Sequence, residues 1–434
     1  MNGIFRIIFI SFLILFLNSL PAQAETVNEG LQNKEIIQLE VEKKDQIKEN
    51  IKSSLTEKET DEDIKKDVVE NSADVEFSLF DVIINEEENP DHPFKIEEDS
   101  LFGKIYQKKL ERTSIPSYLL REELTFNYKK GIVDKVQFYG AYQGFVKGTF
   151  EGSDDYDTEY EWGFANVGAF GDFKNKKNAF KVQLNLKPQS GQDYMHSLFA
   201  DMYIVNTSIP NHKIIIGHSR DQIGFEGASS SYILPFATRS QIARNFGNVR
   251  ALGVRVAGNY PLADYSAAIN SSDRYFHEFF PGLEFTSRVD FKPLGKTDGK
   301  YGNLVLGTGI NTGRRHENYT VGSAYAGYSY KKFAINGEYA IADGYNGRNF
   351  SSNKATGFNT TVSYRLTKRL HALVRFDQFD PNRDISGDLR REYTAGLNYF
   401  IKGQALRLIL NYVFCDNQNS QDSHRIILGT QILL

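Results

Sequence analysis

Basic side chains in this 434-residue chain recur opposite short apolar rows, a spacing suited to holding and passing an anion. In 249–259, Leu252, Val254 and Val256 alternate with Arg255. In 284–293, Phe285, Val289 and Phe291 alternate with Arg288, Asp290 and Lys292. The same reading sets Arg365, Arg375 and Arg407 against an apolar face. A period of two is that of a β-strand, whose successive side chains point to opposite faces. If the apolar face meets lipid, the basic face must point away from it, because a basic group at mid-bilayer costs roughly 2–4 kcal/mol. A planar guanidinium donates two parallel hydrogen bonds to a phosphate or carboxylate, so a row of them lets an anion exchange partners as it moves.

Four further arginines, Arg220, Arg239, Arg244 and Arg250, lie in or beside one long connection, about 220–248. That segment is too long for an idle loop, and Ile223, Phe225, Tyr232, Ile233, Leu234, Phe236, Ile242 and Phe246 make it too apolar to stand in water. It is expected to fold against something. Tucked inside a wide barrel it would narrow the lumen, and its arginines, outnumbering Asp221 and Glu226, would make a positive constriction. The other readings are a contact between subunits or an outer cap, with individual arginines paired to carboxylates of the wall.

The elements that must position these groups are strands throughout. Alternation and turn residues divide 135–434 into sixteen: 135–150, 157–171, 177–188, 197–207, 211–219, 249–259, 262–271, 284–293, 301–313, 318–330, 332–343, 356–365, 369–379, 390–400, 404–415 and 424–434. In the stretch after Gln404, for example, Leu406, Leu408, Leu410, Tyr412 and Phe414 form one apolar face against Arg407, Ile409, Asn411 and Val413. A sheet crosses hydrocarbon only if it closes and leaves no edge unpaired. The expected fold is therefore all-β, a sixteen-stranded antiparallel transmembrane β-barrel. Tight connections at Asn259-Tyr260-Pro261, Tyr330-Lys331 and Ile401-Lys402-Gly403 alternate with longer ones at 344–355, 380–389 and 415–424, as periplasmic turns and outer loops would.

Ahead of the barrel the composition changes. Arg6, the apolar run Ile7 to Leu17 and Ala22-Gln23-Ala24 read as a secretory signal over 1–24, with Glu25 starting the mature chain. Residues 25–100 carry 24 acidic against 9 basic groups and few aromatics, the signature of a disordered or partly helical extension, expected in the periplasm. Residues 101–134 connect it to the barrel. From 101 to 434 the balance reverses, with 41 basic against 31 acidic. Cys415 is the sole cysteine, which leaves no intramolecular disulfide.

Five segments carry a family resemblance: Ile216-Gly217-His218-Ser219-Arg220, Gly224-Phe225-Glu226-Gly227, Ser229-Ser230-Ser231-Tyr232, Leu234-Pro235-Phe236-Ala237-Thr238-Arg239-Ser240 and Arg250-Ala251-Leu252-Gly253-Val254. Together they resemble the phosphate-selective porin O and P family. The resemblance implies a sixteen-stranded, trimeric outer-membrane channel with an inward-folded third loop. It also has departures: Asp221-Gln222-Ile223 follows Arg220 where the family usually has Lys then Pro, and the last residue is Leu434 rather than an aromatic.

The expected function is passive diffusion of small hydrophilic solutes, favouring anions such as phosphate, with Arg220, Arg239, Arg244, Arg250 and Arg255 around the constriction. Outer-membrane lipid, like copies in a homotrimer and small anions are the expected partners, with no nucleic acid, cofactor or metal. His218, His277, His316, His371 and His424 are available for catalysis, but no Gly-x-Ser-x-Gly turn and no His-Glu-x-x-His is present, so an enzyme is not expected. Asp154-Asp155 lacks calcium-site spacing. The competing expectation is a structural, adhesive or enzymatic outer-membrane barrel without an open channel.

Overall fold

The computed structural model describes residues 124–434 except 152–154, 188–196, 222, 248, 274–277, 279, 298, 348–349 and 419. The signal segment, the acidic extension and nearly all of the connecting segment lie outside the described residues, as do His277 and Asp154.

Seventeen strands follow in chain order: β1 Thr125–Asn127, β2 Val133–Glu151, β3 Asp155–Phe173, β4 Asn178–Asn185, β5 Phe199–Asn206, β6 His212–Arg220, β7 Arg250–Asn259, β8 Ala263–Ser271 and β9 Leu283–Phe291. They continue as β10 Asn303–Arg315, β11 Glu317–Tyr330, β12 Phe333–Tyr345, β13 Phe350–Arg365, β14 Leu370–Asp380, β15 Arg390–Lys402, β16 Leu406–Asn417 and β17 Ser423–Leu433. From β2 onward each strand pairs antiparallel with the next, and β17 returns to β2 with Ser423 opposite Glu151 and Leu433 opposite Ala141. The ring is a closed sixteen-stranded antiparallel barrel, and each of the sixteen expected strands is present within a few residues of its expected bounds.

The short β1 takes the place where β17 runs out. Leu434 still exchanges backbone hydrogen bonds with Gly140, and three positions further along the same edge of β2 Thr125 sits opposite Gln137. One stave is thus built from both ends of the described chain.

Inside and outside alternate as hydrocarbon requires. On β16 Arg407, Ile409, Asn411 and Val413 are buried, while Leu408, Leu410 and Tyr412 are exposed. Arg255, Arg288, Lys292, Arg365 and Arg375 are likewise buried on the inner face, and Val254, Val256, Phe285, Val289 and Phe291 are exposed on the outer one. Outward aromatics gather towards both rims. Tyr330, Phe333, Tyr364 and Tyr399 lie near the tight turns, and Phe150, Tyr156, Tyr393 and Tyr412 lie towards the other end. Amphipathic rings favour the two membrane–water boundaries.

The connections depart from strict long–short alternation. The loop expected at 344–355 is mostly strand: β13 starts at Phe350, and Tyr345 pairs with it across a bulge. Its cause is aromatic packing, since Tyr345 and Phe350 stack at 4.7 Å and Tyr319 lies 5.0 Å from Phe350. At the same rim β10 and β11 are joined by His316 alone, in a left-handed conformation, while the opposite rim carries the longer connection between Phe291 and Asn303.

Replacing Leu410 with arginine puts a charge on the lipid face. The expected outcome is a loss of about 2–4 kcal/mol of stability in urea titrations of the bilayer-inserted protein. An unchanged midpoint would show that this face does not meet lipid.

Candidate functional site

The connection between β6 and β7 folds inward and touches the wall almost all the way round. Ser240 caps a single turn of helix, α1 Gln241–Asn245, its side chain accepting from the Ala243 backbone N–H. Much of the rest of the loop is held by contacts with the wall, where its apolar side chains find partners. Phe225 packs on Val305 of β10 and Tyr325 of β11. Tyr232 and Ile233 cluster with Tyr139 of β2, Phe164 and Phe170 of β3, and Leu433 of β17. Phe236 meets Leu373 of β14 and Phe400 of β15. Finally Ile242 and Phe246 pack among Tyr319, Val321, Ala340, Ala342, Tyr345, Ala355 and Phe379.

Backbone groups of the loop are satisfied by inward side chains. The Phe225 N–H donates to Glu338 Oε1 at 2.9 Å, the Ala237 N–H to Asn411 Oδ1 at 2.8 Å and the Gln241 N–H to Asp377 Oδ2 at 2.6 Å. In the other direction Asn398 Nδ2 donates to the Pro235 carbonyl at 2.6 Å, and Gln431 Nε2 to the Tyr232 carbonyl at 2.8 Å. A buried loop with unpaired backbone polar groups would be costly, and these wall residues remove that cost. Two glycines make the close approach feasible. Gly224 has φ +69° and a Cβ there would lie 2.3 Å from Glu338 Oε1, while on the wall a Cβ at Gly396 would lie 3.1 Å from the Phe236 ring.

The arginines fall into three groups. Arg239, Arg244 and Arg375 converge with Glu226, Asp377 and Glu392. Arg244 lies 2.6 Å from Glu392 and 4.0 Å from Asp377. Arg375 lies 3.7 Å from both Glu226 and Asp377, donates to the Thr238 carbonyl at 3.1 Å, and stands over the Phe236 ring at 4.7 Å. Arg239 turns back onto its own loop, donating to the Glu226 and Ser229 carbonyls and to Ser231 Oγ. The three cations face three carboxylates, so this cluster binds the loop to β14 and β15.

The second group sits where the loop leaves the wall. Arg250 reaches Asp201 at 2.6 Å, and Lys181 holds the other oxygen of that carboxylate at 2.8 Å. Arg255 donates to Ser219 Oγ at 2.7 Å and to the Arg220 carbonyl. Arg220 is itself buried. Asp221, the departure beside it, accepts from Asn270 Nδ2 at 2.6 Å. The remaining basic positions are spread around the inner wall. Arg288 pairs with Asp290 at 2.9 Å and donates to the Gly224 carbonyl at 3.2 Å; Lys292 pairs with Asp264 at 2.7 Å. Arg365 faces the Lys331 carbonyl at 3.5 Å, and Arg407 donates to Gln431 Oε1 at 2.9 Å.

The sequence reading places Asp290 inward beside Arg288 but passes over most of the other counterparts. Asp377 is two residues from Arg375, so alternation already puts it on the same face. Glu338, Glu392 and Asp201 carried the same signal, inward parity on an apolar strand.

An inward loop inside a sixteen-stranded barrel defines the class: an outer-membrane β-barrel with the porin fold. Three solved structures share it. The outer membrane channel DcaP of Acinetobacter baumannii aligns with TM-score 0.51 at 12% identity, over 71% of this chain and 99% of that one. An anion-selective porin from Comamonas acidovorans aligns with TM-score 0.52 at 10% identity, over 69% and 99%. OmpF of Salmonella typhi, in complex with daunomycin, gives 0.52 at 12% identity, over 70% and 99%. No curated protein matches the sequence. Residues 298–432, which take in β10 to almost the end of β17, match the family "Phosphate-selective porin O and P". The resemblance expected from the sequence is to that same family, although the segments that suggested it, 216–254, lie outside the matched residues.

Arg375 and Asp377 have almost fully buried side chains. Replacing Arg375 with methionine removes a buried cation from beside Asp377 and Glu226 and a donor from the Thr238 carbonyl, and is expected to lower stability by about 3–5 kcal/mol. It should also open 221–249 to protease in the folded barrel. Unchanged protection would show that the apolar contacts alone hold the loop.

Proposed function

We propose that the protein is an outer-membrane porin through which small hydrophilic solutes diffuse, with a preference for anions such as phosphate, and that it acts as a channel rather than an enzyme. The observation that carries this reading is the long connection folded within the barrel and braced against opposite walls, which narrows a lumen of this width to a constriction. Diffusion down a gradient needs no reaction and no cofactor. The mature chain begins at Glu25, the acidic extension leaves on the tight-turn, periplasmic side, and three copies form the working assembly.

Anion preference rests on charges that the wall does not neutralise. Arg244, Arg250, Arg288, Lys292 and Arg375 each have a carboxylate within 4.0 Å, so they serve chiefly to hold the loop and wall together. Arg255 and Arg407 hydrogen-bond to neutral acceptors, Ser219 and Gln431 among them, rather than to carboxylates, and so support the reading that the inner wall carries a positive excess. The matched family's description as phosphate-selective agrees with this sign.

The test is single-channel conductance in a planar bilayer under a potassium chloride gradient, repeated with added phosphate. An anion-favouring reversal potential is expected. A unit charge about 10 Å from the ion path in water contributes roughly 0.4 kcal/mol, so Arg255→Gln and Arg407→Gln should each change the weighting of either ion by a factor of about two. A cation-favouring potential would overturn the anion assignment. Silent insertion would favour the structural, adhesive or enzymatic barrel instead.

A further inference from the structure

The two rims of the barrel differ in charge. At the tight-turn rim the strands are joined by eight connections: 128–132, 174–177, 207–211, 260–262, 292–302, 331–332, 366–369 and 403–405. Eleven exposed basic side chains stand in them, against a single carboxylate, Asp298. At the opposite rim, with the inward loop left aside, the connections hold 7 acidic and 4 basic residues. The excess of cations therefore belongs to one rim alone.

These cations are crowded. Lys174 Nζ donates to the Lys129 carbonyl at 2.5 Å and the Lys174 N–H to the Ile132 carbonyl at 2.9 Å, which brings the first two connections side by side with Lys130, Lys176 and Lys177. Further round, Lys331 and Lys300 lie over the rings of Tyr330 and Tyr301 at 5.0 and 5.3 Å. A ring attracts a cation without cancelling its charge. Among the described residues none of the eleven pairs with a carboxylate; the ion pairs near this rim, Lys135 with Asp172 and Lys292 with Asp264, use other lysines. Like charges gathered on one surface repel one another and attract a counter-charge.

We propose that this rim is the docking surface for the acidic extension of the same chain, residues 25–100, held there by charge. The inference rests on the outer-membrane reading above, which puts these turns and the extension in one compartment. The extension carries 24 acidic against 9 basic groups, the opposite sign to the rim. It joins the barrel through β1, which runs directly into the first of the lysine-bearing turns. The tether is long enough to serve the whole rim. Fully extended, the 23 residues 101–123 span about 75 Å, whereas sixteen strands about 4.8 Å apart close a ring roughly 30 Å across. A segment tethered in this way meets the rim at an effective concentration of about millimolar order, an advantage that no free acidic partner has.

The experiment places a photoreactive benzoylphenylalanine at Lys332 in the full chain, and in a second variant at Lys368, then irradiates each in native outer membranes and maps the products by mass spectrometry. Both positions are exposed turn residues. The expected product keeps the mass of one chain and joins the probe to a residue within 25–100. Raising potassium chloride from about 0.1 M to about 1 M shortens the Debye length from about 10 Å to about 3 Å, and is expected to lower the yield of that product about threefold or more. Phospholipid adducts alone, capture of another protein or of a second copy, or a yield indifferent to salt would each overturn the proposal. Folding and conductance are read on the same membranes. A folded, conducting protein without the internal link defeats the docking surface and leaves the channel standing, whereas failure of the unmodified chain to insert defeats both.

Discussion

The constraint on which everything else depends is the absence of hydrogen-bond partners in hydrocarbon. It demands a closed ladder, and the ladder fixes an even ring, a period of two and an inner face where polar residues gather. From this follows the chemistry of the interior. Arg375, Asp377 and Asn411 point inward because the same strands present Val374, Phe376 and Leu410 to the outside. The loop between β6 and β7 then finds a wall already set with donors and acceptors, and its backbone settles onto them.

The fold was legible because the ladder's rule is local. Alternation around Arg407, or from Phe285 to Lys292, needs no knowledge of distant residues, and the strands came out within a few positions. Errors arose where side chains from separate strands decide the outcome. Tyr345, Phe350 and Tyr319 pack together and draw 350–355 into a strand, although their turn-prone residues read as a loop. The candidate site was half legible for the same reason. The inward direction of each arginine followed from parity, but whether Arg375 meets Asp377 and Glu226 or open water depends on a loop 137 positions away from it at Thr238.

The charges of the interior thus do two separate jobs. Paired cations such as Arg250 with Asp201, or Arg244 with Glu392, convert electrostatic attraction into mechanical bracing of the loop. Arg255 and Arg407 are bonded to neutral groups instead, and in the proposed channel they would supply a net field. A constriction made only of the first kind would be rigid and indifferent to sign, and one made only of the second would lack the ties that hold a loop in place. The division allows the rigidity of the constriction and its electrostatic character to vary independently.

The stave shared by β1 and β17 also bears on the order in which the barrel is made. Its closing ladder joins Ala141 to Leu433, and the patch beyond it needs Thr125, so the seam waits for the last strand of the chain. Every other ladder can form between neighbours in sequence, at small loop-closure entropy, whereas this one must gather the two ends of the barrel. The seam is accordingly the ladder that makes the sheet a ring: without it the same strands would form an open sheet with two long edges and enclose no lumen.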